Sequence, residues 1–319
     1  MMSRLVTLFF LLCTSLAQAA PTVLQRPIDL DTGQGVLHGS LLLPQQATPP
    51  PVVLIIAGSG PTDRDGNNPA SGRIDNLKRL ALLLANEHIA SVRYDKRGVA
   101  ASQPATPDER NLSVERYVAD VVAWSHKLKA DPRFGPLILI GHSEGALIAS
   151  LAAEQAGASA VITLAGSGRP LAEVVREQLA QRLPPAQLAG GSALLDRLQA
   201  GQTSLEVPAP LRQVFRPSVQ PYLISLFRQN PAAAFARLPM PALIVQGRND
   251  VQVSVADAER LKAAKPDAQL VLIDGMNHVL RISPKGMSQQ RDSYLNPELP
   301  LARELGERIV TFIQHLPSA

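Results

Sequence analysis

An α/β fold, with a mainly parallel sheet and helices on both of its faces, is what this 319-residue sequence predicts. Three observations predict it. Short β-rich runs alternate with segments of helical period along most of the chain. The runs are apolar throughout, as in strands buried on both faces. Their regular alternation implies βαβ crossovers, which make neighbouring strands parallel.

In chain order, two extended segments between Ile28 and Leu43 flank Asp31-Thr32-Gly33-Gln34-Gly35, which predicts an antiparallel hairpin at the sheet edge. Val52 to Ala57 is a buried strand, and Ile74 to Glu87 a helix with Leu77, Leu80, Ala81 and Leu84 at helical spacing. A short strand, Ala90 to Tyr94, precedes a helix from Leu112 to Lys129 that opens at Asn111 or Ser113. Strand Pro136 to Ile140, helix Glu144 to Gln155 and strand Ala160 to Ala165 continue the pattern. Strands Ala242 to Gln246 and Gln269 to Ile273, with helix Val255 to Ala264 between them, complete the sheet, and a last helix covers about Leu301 to Leu316.

Leu171 to Leu238 breaks the alternation. It has no strand pattern but has helical stretches, including Leu171–Arg182 and Val219–Phe227, and reads as a helical cap inserted over the strand ends. Pro184-Pro185, Gly190-Gly191, Pro208 and Pro210 read as its punctuation. The expected organisation is a catalytic core of residues 20–170 and 239–319 interrupted by a cap at 171–238.

The first residues read as a signal peptide over 1–19. Arg4 supplies the positive charge, Leu5 to Leu16 the apolar run, and Ala17-Gln18-Ala19 the small-x-small cleavage pattern. The run is short for a bilayer span, so a secreted or periplasmic location without a stable membrane span in the mature chain is expected. Cys13, the only cysteine, lies in that segment, and Leu12 before it does not suit a lipid attachment site. No disulfide or cysteine-based metal site is then expected. The formal charge of +4 is spread along the chain without a Lys/Arg block, which argues against nucleic acid as a partner.

Gly141-His142-Ser143-Glu144-Gly145 carries the chemistry. It follows one strand and opens a helix, so Ser143 sits on a sharp turn with its hydroxyl exposed, and small residues are needed at minus two and plus two. At ordinary residue usage this pattern arises roughly 0.1 times in a chain this long. A serine hydroxyl needs a base to take its proton, and sites of this build run serine, acid, histidine along the chain. Two histidines follow Ser143. His315 falls in the last helix near the terminus, whereas His278 falls in a loop just past the last strand. The acid is read as Asp250, which ends Gln246-Gly247-Arg248-Asn249-Asp250 directly after a strand. Asp274, four positions before His278, is the alternative. Two backbone N–H groups must receive the oxyanion. Glu144 follows the nucleophile, and Ser59 lies between glycines in the loop after the Val52 strand. Ala165-Gly166-Ser167-Gly168 reads as a tight turn into the cap. The acids of Asp63–Asn68 faintly suggest a calcium loop, but the glycine is misplaced and no glutamate follows at the required spacing, so no metal is expected there.

The chain resembles the α/β-hydrolase superfamily over nearly all of its mature sequence, most of all the bacterial carboxylesterases and serine-aminopeptidase-like hydrolases with a helical cap. The resemblance rests on the residues from Gly58 to Asn67, Tyr94-Asp95-Lys96-Arg97-Gly98, Gly141–Gly145, Gly247-Arg248-Asn249-Asp250 and Asn277-His278-Val279-Leu280. It implies Ser143, Asp250 and His278 as a triad, with Ser59 and Glu144 as amide donors. The chain departs from the family pattern after Gly98, where Ala100 and Ala101 precede Ser102 in place of a second glycine; a changed turn is expected there.

The expected activity is hydrolysis of a small-molecule carboxylic ester through an acyl-serine, with no cofactor and no metal. An aminopeptidase or amidase on the same triad is the second reading, and a non-catalytic ligand-binding protein of the same fold the third. Seven arginines against four acids in the cap favour neutral or anionic substrates over an ammonium group.

Overall fold

The computed structural model describes residues 22–69 and 72–317. The signal peptide expected at 1–19, with Cys13, lies outside these residues. Eight strands form one sheet: β1 (Val23–Asp31), β2 (Val36–Pro44), β3 (Val52–Ile56), β4 (Ala90–Tyr94), β5 (Leu137–His142), β6 (Ala160–Leu164), β7 (Ala242–Gly247) and β8 (Gln269–Ile273). Their spatial order is β1-β2-β4-β3-β5-β6-β7-β8. β1 and β2 make the expected hairpin, closed where the Thr32 N–H donates to the Gly35 carbonyl at 3.1 Å. β2 pairs antiparallel with β4, and every later pairing is parallel.

The middle strands have no polar face because both faces are covered. In β3, Val52, Leu54 and Ile56 enter one apolar core, and Val53 and Ile55 the other. On the Val53 side lie α1 (Asn76–Asn86) and the C-terminal helix Arg303–Gln314, which contribute Leu77, Leu80, Leu305 and Ile309. On the Val52 side lie α2 (Val114–Lys129), α3 (Glu144–Ala156) and the helix Val255–Ala264, which contribute Trp124, Ile148 and Leu261. α1 starts two residues later than its apolar spacing suggests, because Asp75 takes a left-handed backbone at φ 55°. α2 opens at Ser113, whose Oγ accepts the Arg116 N–H at 3.3 Å, a side-chain N-cap.

The segment 171–238 is helical. It holds α4 (Leu171–Arg182), α5 (Pro185–Gln199) and the shorter helices Gln220–Phe227 and Pro231–Ala236. The punctuation reading needs correcting. Pro185 occupies the first turn of α5, where proline lacks nothing that the helix needs, and Gly190 and Gly191 lie in its interior. Gly191 is buried, and a Cβ there would come within 3.3 Å of the Leu183 and Leu211 side chains. Close packing therefore offsets the helix cost of glycine. Leu179, Leu194, Leu195, Leu198 and Phe215 form a core of the cap's own. Among the described residues no helix is long and apolar enough to cross a membrane.

The chain steps from β3 to β4 on one side, then from β4 back across β3 to β5 on the other. The strand order thus reverses at β3 and β5, and open α/β sheets bind ligands outside the carboxyl ends of their strands at such a point. The loops that leave β3, β5, β7 and β8 carry Ser59, Ser143, Asp250 and His278.

Candidate active site

β5 runs through His142 and α3 begins at Glu144, so the strand-to-helix turn is a single residue, Ser143. Its backbone stands at φ 55°, ψ −121°, a conformation L-residues avoid and that functional sites retain. The turn holds because the Ser143 N–H donates to the Leu164 carbonyl at 2.8 Å and the Ser143 carbonyl accepts the Ala146 N–H at 3.0 Å. The two flanking glycines are sterically required. A Cβ on Gly141 would lie 2.1 Å from the Gly145 carbonyl oxygen, and one on Gly145 would lie 2.3 Å from the Ile56 carbonyl oxygen.

Asp250 and His278 meet across the ends of β7 and β8. Asp250 Oδ2 lies 2.8 Å from His278 Nδ1, with the Asp250 side chain fully buried and that of His278 7% exposed. Asp250 Oδ1 accepts the Gln252 and Val253 N–H groups at 2.7 and 2.9 Å, and Gln246 Nε2 donates to Oδ2 at 3.1 Å. Burial alone would raise the Asp250 pKa; the His278 charge, its hydrogen bond and the two backbone N–H groups outweigh burial and hold the carboxyl below its usual range. A carboxylate there needs a proton on Nδ1, which leaves His278 Nε2 as the ring's base. Asp274 pairs with Arg248 at 2.8 Å on the surface, its side chain 92% exposed. His315 is exposed and its Nδ1 contacts the Thr311 carbonyl of its own helix.

Among the described residues no hydrogen bond joins Ser143 Oγ to His278; such contacts are often long before substrate arrives and tighten on binding. What joins the two loops is His142. Its Nε2 lies 2.8 Å from the His278 carbonyl oxygen, and the two rings stand with centroids 5.0 Å apart. Since a carbonyl only accepts, Nε2 carries the proton. Burial first, and the facing His278 second, push the His142 pKa down to about 4.

The loop after β3 touches the Ser143 turn, since a Cβ on Gly58 would meet the Ser143 Cβ at 3.2 Å. Among the described residues neither the Ser59 nor the Glu144 N–H has an internal acceptor. Glu144 is the first residue of α3, where helix N–H groups lack partners.

The motif after β4 braces this loop. Asp95 accepts the Arg64 N–H, the Arg64 guanidinium and the Ala101 N–H. Arg97 makes a two-pronged buried ion pair with Asp120 of α2. Lys96, 2% exposed, donates Nζ to the carbonyls of Gly58 and Gly60, the latter at 3.2 Å. The acidic loop that faintly suggested calcium spends its oxygens internally. Asp63 Oδ1 accepts the Asp65 and Asn67 N–H groups, and Asp65 Oδ1 accepts Arg93 Nε. Among the described residues no cluster of three metal-ligating side chains occurs.

Sequence reasoning missed His142, Gln246 and Lys96 as parts of the site. His142 and Lys96 sit inside quoted motifs, but their partners are main-chain carbonyls on distant loops, which no spacing reveals; Gln246 donates to Asp250, four residues on in the same motif. The turn Ala165–Gly168 packs against the helix Val255–Ala264, where Asp257 Oδ1 accepts the Gly168 N–H at 3.2 Å. A groove within the cap, lined by Leu194, Arg197, Leu205, Val207 and Arg212, includes none of Ser143, Asp250 and His278.

This geometry defines a class of protein: a parallel α/β sheet with a serine on a strained strand-to-helix turn and a buried His–Asp pair two loops away. The family model described as the alpha/beta hydrolase family matches residues 52–290, and the chain belongs to that family. It is similar to Esterase EstD of Thermotoga maritima, at 28% identity over 256 residues, which cover 79% of this chain. The chain spans about 60% of the length of that curated relative. Among solved structures it is similar to ferulic-acid-bound Est1E from Butyrivibrio proteoclasticus, with a TM-score of 0.63, 17% identity, and coverage of 91% of this chain and 98% of the other. The esterase domain of a Rhodothermus marinus protein matches with a TM-score of 0.58 at 17% identity, covering 92% of this chain and all of that domain. At these identities the structural likeness speaks for the fold.

Proposed function

We propose that the protein hydrolyses carboxylic esters of small molecules through an acyl-serine at Ser143. The observation that carries this reading is the buried Asp250–His278 pair at 2.8 Å, set on a loop tied through His142 to the strained turn of Ser143. His278 Nε2 takes the Ser143 proton as Oγ attacks the ester carbonyl carbon. The carbonyl oxygen becomes an oxyanion facing the Ser59 and Glu144 N–H groups. His278 then hands its proton to the leaving alkoxide, and the alcohol departs. Water, deprotonated by the same nitrogen, attacks the acyl-enzyme; collapse of that second intermediate returns the proton to Ser143 and frees the acid. Asp250 keeps the ring's tautomer and stabilises its charged form. Similarity to an esterase supports the ester as substrate. The apolar run and cleavage pattern at 1–19 support export, to be checked from the N-terminal residue of the protein recovered outside the cytoplasm.

Short p-nitrophenyl esters test the activity. Wild type should hydrolyse them and bind a fluorophosphonate covalently, and Ser143→Ala should lose at least about 10⁴-fold in kcat. Activity retained in the alanine variant ends the assignment. Aminoacyl anilides assayed beside the esters separate the peptidase reading, which faster anilide turnover would put first.

A further inference from the structure

We propose that Lys96 is the positioning residue of the oxyanion hole: by holding the Gly58 carbonyl it aims the Ser59 N–H at the reacting carbonyl oxygen. This rests on the ester-hydrolase reading and deepens it. The Gly58 carbonyl and the Ser59 N–H belong to one planar unit, and in a trans peptide they point in opposite directions. Lys96 Nζ donates to that carbonyl and also to the Gly60 carbonyl at 3.2 Å. The Gly58 carbonyl is therefore drawn to the Lys96 side and the Ser59 N–H turned to the other, while the bond to Gly60 fixes the loop beyond Ser59. The Ser59 N–H finds no internal acceptor among the described residues, and the loop that carries it lies against Ser143. Thr62 completes the clamp, its Oγ1 donating to the Ser59 carbonyl at 2.8 Å. A glycine-flanked loop cannot hold this direction by itself, since glycine leaves the backbone its widest freedom.

The charge of Lys96 is also placed. Its side chain reaches the loop from just past the end of β4, a strand buried along its whole length. Burial disfavours the ammonium, and the Glu144 carboxylate counters that cost, as does the Tyr117 ring 5.5 Å from Nζ. Glu144 is the residue whose backbone offers the second N–H. The two donors thus belong to one unit in which the side chain of the second compensates the cation that orients the first. A cation on the Gly58 carbonyl also polarises its peptide group and strengthens the Ser59 N–H as a donor.

The test is Lys96→Met, which keeps the apolar stem and removes the donors. Steady-state hydrolysis of p-nitrophenyl butyrate is measured, with active sites counted by fluorophosphonate. Inhibition by an alkyl trifluoromethyl ketone, which adds Ser143 Oγ and forms an oxyanion, is compared with inhibition by the matching methyl ketone, which binds without adding. The expected result is a kcat per active site lower by about 10²-fold, the size of losing one oxyanion donor. KM should stay within about threefold, trifluoromethyl ketone affinity should fall by the same factor as kcat, and methyl ketone affinity should be unchanged. Lys96→Gln, shorter but still a donor, should lose less, with the two losses again equal. A wild-type kcat per active site in folded Lys96→Met overturns the inference, as does a kcat loss without a matching loss of trifluoromethyl ketone affinity. Wild type inert to both ester and fluorophosphonate removes the functional reading and this inference with it. An active wild type with unimpaired Lys96 variants removes this inference alone.

Discussion

His142 donates from Nε2 to the His278 carbonyl oxygen across 2.8 Å, so the residue before Ser143 holds the backbone of the residue read as the base. Nε2 bears a proton in the neutral and in the charged ring, so the bond fits both; it is burial, then the facing His278, that keeps His142 neutral. In the unfolded chain its pKa is near 6.5, and in the folded protein it is pushed down to about 4. Between these values the unfolded chain takes a proton that the folded one refuses, so the stability due to neutral His142 is present above pH 6.5 and lost as pH falls towards 4. The loss is on the order of 3 kcal/mol. Urea unfolding at pH 7.5 and 4.5 measures it. His142→Phe keeps a ring that cannot titrate and should flatten the dependence, although leaving the carbonyl unpaired should cost roughly 1–3 kcal/mol at every pH. Equal pH dependence in the two proteins would remove His142 as its source.

Asp250 and Asp274 stood as alternatives for the acid. Only Asp250 reaches His278; Asp274 reaches Arg248 in solvent. Asp250→Asn should lower kcat by about 10⁴-fold with the fold intact, because the amide no longer selects the tautomer with its proton on Nδ1. Asp274→Asn should stay within about twofold of wild type, since an exposed ion pair contributes little. Comparable losses from the two substitutions would refute the assignment.

Ala100 departs from the family pattern and has the backbone of a glycine. Its φ is 45°, a left-handed conformation that costs an L-residue roughly 1–2 kcal/mol. The turn imposes it. The Ala101 N–H donates to Asp95 Oδ2 at 3.1 Å, the Gly98 N–H to the Ser102 carbonyl at 3.1 Å, and buried Ser102 Oγ accepts the His38 N–H at 2.9 Å. Ala100→Gly should therefore raise stability by up to about 1 kcal/mol, the relief being partly offset by the freer unfolded chain. That is a rise in Tm of about 2–4 °C, read by calorimetry, with activity unchanged. A lower Tm would show that the turn does not strain Ala100.

The sheet and the order of the site residues were legible because both rest on local pattern. Val52 to Ile56 has no polar position, and Gly141 and Gly145 flank Ser143 where a Cβ would strike the backbone. Chain order and strand ends then brought Asp250 and His278 forward. Contacts on which local pattern is silent were illegible. Nothing near Lys96 marks the Gly58 carbonyl as its partner. Gly190 and Gly191 read as a break because the packing that offsets the helix cost of Gly191 comes from Leu183 and Leu211, the latter twenty residues further on.

The cap offers the last test. Among the cap's apolar side chains, Leu179 and Phe227 lie in the cap's own core, while Leu226 and Phe235 lie in the core beneath. Leu223 is only partly buried and packs against both. Its helix is fixed to the body at two points: Ser225 Oγ accepts the Val114 N–H at 3.0 Å, and the Tyr222 ring meets Tyr117 edge-on at 5.5 Å. Tyr222 also lies beside Glu144, so this part of the cap borders the turn of Ser143. Leu223 is then the side chain most free to meet an acyl chain. Leu223→Ala should shift preference among p-nitrophenyl esters by about tenfold for every two methylenes at the longest chain admitted, since one methylene is worth about 0.8 kcal/mol. Leu179→Ala should cost about 2–5 kcal/mol of stability and leave the order of preference as it was. Each variant is measured over a chain-length series from acetate to decanoate, with fluorophosphonate labelling to confirm a reactive Ser143. An unchanged series for folded Leu223→Ala would take the acyl pocket away from this helix and move the search to the polar loop around Asp63–Asn67, which is tied to the oxyanion loop through Thr62.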